Sequence, residues 1–137
     1  MDIFVYGSLT EPEQVGQVVD SFAFLGPAVL TGLHPVQGES PTLAPGGKTG
    51  GRLLRTAEVA ALDSDERVDD DLYVRVSVPL IRDEGEGEGT VEVYVGDPTR
   101  LGVEEPAVWP GSAEVEPFSD RVERYLREQD VQVQYRD

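Results

Sequence analysis

The chain has 137 residues, 39% of them hydrophobic, which is the size of one domain (1–137) with a modest core. It has no cysteine, no apolar run near the ~18 residues that suggest a membrane span, and an N-terminus, MDIFVYGSLTEPEQ, without a basic segment ahead of a long apolar stretch; disulfides, thiolate metal sites and a cysteine nucleophile are excluded, and neither a membrane association nor a secretory signal is expected. With 27 Asp and Glu against 11 Lys and Arg, a formal net charge of −16, and Lys48 as its only lysine, the surface repels nucleic acid and points to a cytoplasmic protein of a high-salt interior, where self-repulsion is screened.

Ile3, Phe4 and Val5, followed by Tyr6, form a short strand that stops at Gly7. A short helix follows, with Thr10 as its cap, Pro12 in its first turn and Val15, Val18 and Val19 on one face. Residues 22–33 read as a strand broken or bulged at Gly26 and Pro27. Residues 34–51 are rich in Gly and Pro and read as a long loop with little regular structure, of the kind that shapes a pocket. A brief strand at Arg52, Leu53 and Leu54 comes next. Thr56 caps a helix that begins at Ala57 and ends near Glu66 or Arg67, with Val59, Ala61 and Leu62 toward the core; Glu58 suits its positive end.

The clearest pattern is a hairpin. Leu72, Val74, Val76 and Val78 alternate with Tyr73, Arg75 and Ser77, and Val91, Val93 and Val95 alternate with Glu92 and Tyr94. One face is aliphatic and the other polar and aromatic. The EGEGEG run between them reads as a solvated turn, since it lacks the spaced ligand mixture of a calcium loop. Residues 96–117 read as loop, with Trp109 covering the core. Ser119 caps a last helix with Val122, Tyr125 and Leu126 as its stripe, and Val131, Val133 and Tyr135 alternate in a final strand. This order of elements gives a mixed α+β fold around a curved or barrel-like sheet.

The common catalytic constellations are absent. His34 is the single histidine and cannot build a multi-histidine metal centre; its GLHPV context reads as a turn at a strand end. Ser8 lies outside any G-x-S-x-G elbow, and no phosphate-binding or dinucleotide fingerprint occurs. Two features remain. Val5-Tyr6-Gly7-Ser8-Leu9 switches from strand to helix through a glycine, which is either a plain tight turn or a set of converging amides that receive a carboxylate or phosphate. Glu66 closes Leu62-Asp63-Ser64-Asp65-Glu66 at a negative helix end. There it is either a solvated surface residue or one kept for function at a cost in stability.

Read together, these segments resemble the γ-glutamyl cyclotransferase-like superfamily. Phe4-Val5-Tyr6-Gly7-Ser8-Leu9 looks like its Y-G-S/T-L signature, Gly51-Arg52-Leu53 like its G-x-L/V strand, Leu62 to Glu66 like its L-D-x-x-E helix, and Leu72-Tyr73-Val74-Arg75 like its L-Y-x-R strand. Order and spacing match across residues 3–78, and the strand at 91–95 continues the match. The resemblance implies a small, partly closed β-barrel of six or seven strands, flanked by short helices, with a cavity at one end. It implies an enzyme that turns a small γ-glutamyl amine or peptide into 5-oxoproline and a free amine, without metal or other cofactor. Glu66 falls on the family's catalytic glutamate, Tyr6, Gly7, Ser8 and Leu9 on its substrate-binding loop, and Tyr73 on the L-Y-x-R tyrosine, in either a packing or a substrate-orienting role.

The chemistry suits those residue types. The substrate's α-amine must lose a proton to attack the γ-carbonyl, and the leaving amine must gain one; one carboxylate between them does both. Burial raises the pKa of such a carboxylate, loop amides fix the near-attack geometry, and Arg75 acts locally on an anionic ligand. Arg67 stands where many relatives have glycine and would weaken Glu66 as a base, while Arg52 replaces a common acidic residue. The alternative is a non-catalytic small-metabolite-binding or protein-interaction domain on the same fold; the sequence names no protein partner.

Overall fold

Period-two apolar alternation, with one side chain set turned in and the other out, builds six strands among the described residues. They are β1 (Asp2–Val5), β2 (Ala23–Val36), β3 (Thr42–Arg55), β4 (Tyr73–Arg82), β5 (Gly89–Gly96) and β6 (Gln132–Tyr135). Among the described residues three helices accompany them: α1 (Pro12–Gly16), α2 (Val59–Asp65) and α3 (Phe118–Glu128), with a 3₁₀ turn at Gly7–Thr10. The computed structural model describes residues 2–36, 42–65, 73–82, 89–98, 101–103, 109 and 116–135, without the side chains of Ser8, Leu9, Asp65 and Arg82. The strands close into a barrel in the order β1-β3-β2-β6-β4-β5. The β1–β5 and β4–β6 pairs are parallel and the others antiparallel. The expected α+β barrel flanked by short helices is therefore the observed architecture, with six strands and full closure.

The two faces of the strands belong to two apolar clusters. Phe4, Leu30, Leu53, Val76, Val78, Val93 and Val133 fill the barrel together with Trp109 and the α3 residues Val122 and Leu126. The alternate positions Ile3, Val5, Leu54, Tyr73 and Tyr94 pack outward against Val15 of α1 and Val59 and Leu62 of α2. Each fully buried aliphatic side chain here contributes about 1.5–3 kcal/mol. Trp109 stacks edge-on against Phe118 and Tyr125, at 5.9 and 5.4 Å between ring centroids. Its carbonyl accepts a hydrogen bond from Arg121, so it is a core residue, as its sequence context suggests.

Three expectations need correction. Residues 42–51 belong to β3 and residues 34–36 to β2, so most of the expected 34–51 loop is a paired two-stranded arm. Its Gly and Pro content is accommodated by a register shift between Thr31 and Leu33. There Gly32 takes φ 106° and Gly46 takes φ 102°, conformations that glycine reaches without strain. Pro35 and Pro45 pair with Leu43 and Leu33 where, among the described residues, no third strand joins the ladder, so their missing N–H is not needed there. The arm is held by its surroundings: Tyr125 donates to the Gly32 carbonyl and accepts from the Gly46 amide, and His34 Nδ1 meets the Gly46 carbonyl at 3.0 Å.

The other two corrections concern caps. Thr10 does not cap α1; its hydroxyl donates to the Gly7 carbonyl and Glu11 takes the cap position. Ser119 lies inside α3, which starts after Pro117 without a side-chain cap. Thr56 does accept from the Glu58 amide at 3.1 Å, and α2 begins at Val59, two residues later than expected. The EGEGEG turn falls almost wholly outside the described residues. Among the described residues, no helix is long and apolar enough to cross a membrane.

Candidate active site

The chain leaves the barrel at the end of β1 and turns at once. Gly7 takes φ 65°, which a β-carbon would make costly, and the next residues wind into the 3₁₀ turn. Two bonds stiffen that turn: the Thr10 hydroxyl donates to the Gly7 carbonyl at 2.7 Å, and Arg52 on β3 donates to the Thr10 carbonyl at 3.0 Å. The Arg52 guanidinium also sits 4.1 Å from the centre of the Phe24 ring, a cation–π contact. The arginine that departs from the family pattern thus braces the turn. Below it, Gly51 lies so close to β1 that a β-carbon there would come within 2.2 Å of the Val5 carbonyl oxygen. That explains the glycine of the G-x-L strand by close approach rather than by backbone angle.

Tyr6, half-buried, stacks beside Phe4 and sends its hydroxyl to the Tyr94 carbonyl at 2.8 Å. Tyr94 is buried on the outward face of β5. Its own hydroxyl donates to Asp63 of α2 at 2.6 Å. Arg75, opposite Tyr94 across the β4–β5 ladder, pairs with the same carboxylate, Nη1 to Oδ2 at 3.1 Å. Its Nε faces Glu92 at 3.8 Å, and Ser77 donates to Glu92. Arg75 is therefore paired with two carboxylates of its own chain. At its other end, α2 is tied down by Glu58, whose carboxylate accepts from the Asp20 and Ser21 amides.

The sequence candidates fall as follows. Tyr6 and Gly7 stand at the end of β1, and the backbone of Ser8 and Leu9 continues the turn. Tyr73 is buried at 4% exposure in the outward cluster with Val5, Leu62 and Tyr94. A β-carbon on Gly96 would stand 2.9 Å from its ring. Glu66 and Arg67 lie outside the described residues; Glu66 directly follows the last residue of α2. Sequence reasoning missed Tyr94 and the part played by Asp63. The signal for Asp63 was its place in L-D-x-x-E, and for Tyr94 its place on the polar face of the hairpin. Among the described residues no group of three or more His, Asp or Glu side chains is arranged to hold a metal ion.

A model of the family described as "Gamma-glutamyl cyclotransferase, AIG2-like" matches residues 3–111. The chain belongs to that family. Protein AIG2 C of Arabidopsis thaliana is 30% identical over 99 residues, 69% of this AIG2-like chain and 60% of that protein, so the chain spans less than two thirds of that relative's length. A solved structure named "Gamma-glutamyl cyclotransferase" shares the fold, with a TM-score of 0.61 at 18% identity over 93% of this chain and 98% of that one. A solution structure from Arabidopsis thaliana is 26% identical, with a TM-score of 0.52 over 94% of this chain and 81% of that one.

Proposed function

We propose that this AIG2-like protein is an enzyme that cyclises a γ-glutamyl amine or γ-glutamyl peptide to 5-oxoproline. The substrate's α-amine attacks its own γ-carbonyl, the γ C–N bond breaks, and the amine leaves. Glu66 takes a proton from the attacking amine and returns one to the leaving nitrogen, so no proton is gained or lost overall. The amides of Gly7, Ser8 and Leu9 hold the substrate's carboxylate or polarise its carbonyl, which fixes the amine within reach of the carbon it attacks. Tyr6 and Tyr73 shape the substrate's surroundings. No metal or cofactor is required, because both the nucleophile and the leaving group reside in the substrate.

The observation that carries this reading is the braced turn at Gly7–Thr10 in a family member that also retains Leu62-Asp63-Ser64-Asp65-Glu66. Thr10 and Arg52 fix the turn's carbonyls, which is the rigidity that a substrate-positioning loop needs. A second reading, binding of a small acidic metabolite without turnover, is favoured by Arg67 directly after Glu66. A guanidinium beside a carboxylate stabilises its charged form and weakens it as a base. The test is 5-oxoproline release from a panel of γ-glutamyl amines and dipeptides in molar salt, with Glu66→Gln alongside. Release by the parent alone is the expected result. Equal release by both removes Glu66 from the mechanism, and silence from both with ligand-induced thermal stabilisation selects the binding reading.

A further inference from the structure

Tyr94 touches both halves of the candidate site through different atoms. Its backbone carbonyl accepts the Tyr6 hydroxyl at 2.8 Å, and its own hydroxyl donates to Asp63 at 2.6 Å. Tyr6 opens the Tyr-Gly-Ser-Leu segment. Asp63 lies three residues before Glu66, on the last turn of a helix only seven residues long. So short a helix has little stability of its own and takes its orientation from what it packs against. The apolar side is fixed by Val59 and Leu62. Its C-terminal turn is held by the Asp63 carboxylate, whose Oδ1 accepts from the Tyr94 phenol at 2.6 Å and from Arg75 Nη1 at 3.3 Å, with Oδ2 3.1 Å from the same guanidinium nitrogen. Arg75 is itself steadied from the far side by Glu92. Each bond has a charged partner, the kind that is short and directional, and the strands that carry Tyr94 and Arg75 belong to the closed barrel.

We propose that Tyr94 and Asp63 are positioning residues for the proposed reaction: the Tyr94–Asp63 bond, backed by Arg75, sets the C-terminal turn of α2, the turn that Glu66 follows in the sequence, from the same residue that anchors Tyr6. This rests on the reading of Glu66 as the proton carrier. Tyr94 never touches the substrate in this scheme. Its effect passes through the chain segment that follows Asp63, and an ångström of misplacement there lowers the rate of a proton transfer steeply.

The test compares Tyr94→Phe, Asp63→Asn, Asp63→Ala and Glu66→Gln with the parent chain in molar salt. Tyr94→Phe keeps the ring and the carbonyl that receives Tyr6, and removes the hydroxyl that donates to Asp63. Two quantities are read: amide hydrogen exchange along residues 62–65, and kcat and KM for 5-oxoproline release. Tyr94→Phe is expected to speed exchange in the last turn of α2 but not in β4 or β5, and to lower kcat by about tenfold or more with KM unchanged. Asp63→Asn retains an oxygen for the phenol and is expected to keep more activity than Asp63→Ala. A merely structural role would instead lower protection across the barrel and leave the kcat of the folded fraction intact.

Unchanged exchange at residues 62–65, or unchanged kcat, in Tyr94→Phe overturns the proposal while Glu66→Gln remains inactive and the proposed function stands. Full activity in Glu66→Gln removes that function, and the positioning role falls with it. The exchange measurement needs no substrate, so it decides the anchoring even in a chain that turns over no member of the panel.

Discussion

Gly51→Ala is the sharpest test of how β1 is seated. A β-carbon at this position would lie 2.2 Å from the Val5 carbonyl oxygen and 2.8 Å from the tip of the Phe4 ring. Ordinary contact begins near 3.4 Å, so one strand must move by about 1 Å. The Phe4 ring sits in the barrel interior at 1% exposure, and the carbonyl is backbone within the β1–β3 ladder, where Val5 pairs with Arg52. Neither yields freely. Overpacking of this kind costs about 1–3 kcal/mol, and the upper end applies because the atom struck is backbone. At about 4 °C per kcal/mol for a chain of this size, the melting temperature should fall by about 12 °C. Gly50→Ala is the matched control: nothing lies within 4 Å of a β-carbon there. By restricting the unfolded chain it should be neutral or stabilise by about 0.5 kcal/mol. Fluorescence of the single tryptophan, buried Trp109, reports the transition. A Gly51→Ala melting temperature within about 2 °C of the parent (~0.5 kcal/mol), or an equal fall in Gly50→Ala, would refute the close-approach account of this glycine.

Two further outcomes are expected. Thr42 is fully buried, and its hydroxyl accepts from the Gly96 amide at 2.7 Å and donates to the Gly96 carbonyl at 3.2 Å; Thr42→Val keeps the shape but strands two backbone groups, and chemical denaturation should show a loss of about 2–3 kcal/mol. The net charge of −16 implies self-repulsion in dilute buffer that salt screens, so the melting temperature should rise from low to molar NaCl, and a flat profile would end the high-salt reading of the composition.

Legibility in the sequence followed the physics of each element. The β4–β5 hairpin was readable because strict alternation of valines with polar and aromatic residues has one structural solution. The arm formed by residues 33–36 and 42–45 was not. Local rules read Gly and Pro as punctuation, and nothing local announces that Tyr125, 79 residues beyond Gly46, will hold that glycine in a bulge. The site divided along the same line. The turn after β1 and the L-D-x-x-E segment could be read as local patterns and as a family resemblance. The bond from Tyr94 to Asp63 spans 31 residues and that from Tyr6 to Tyr94 spans 88. Such bonds have no sequence period, so the link from Tyr6 through Tyr94 to Asp63 was invisible until the strands were in place.

Of the described glycines, the two with least room for a β-carbon, Gly51 and Gly96, lie at the edges of the candidate site, and this links stability to geometry. Gly51 lets β3 lie against Val5, the residue before Tyr6. Gly96 lets β5 end against Tyr73 and Leu101, where a β-carbon would come within 2.9 and 2.4 Å. The same Gly96 is the residue that Thr42 clasps. Between these two seams lies Tyr94, two residues before Gly96 and bonded to Tyr6, one residue after Val5. A side chain added at either glycine would therefore push on a strand that carries a residue of the candidate site, before any loop had moved. The two seam glycines set how closely β1, β3 and β5 approach their neighbours, and with it where the turn and α2 sit. The expectation is thus that Gly51→Ala and Tyr94→Phe lower turnover through different routes, the first with a large loss of stability and the second with a small one.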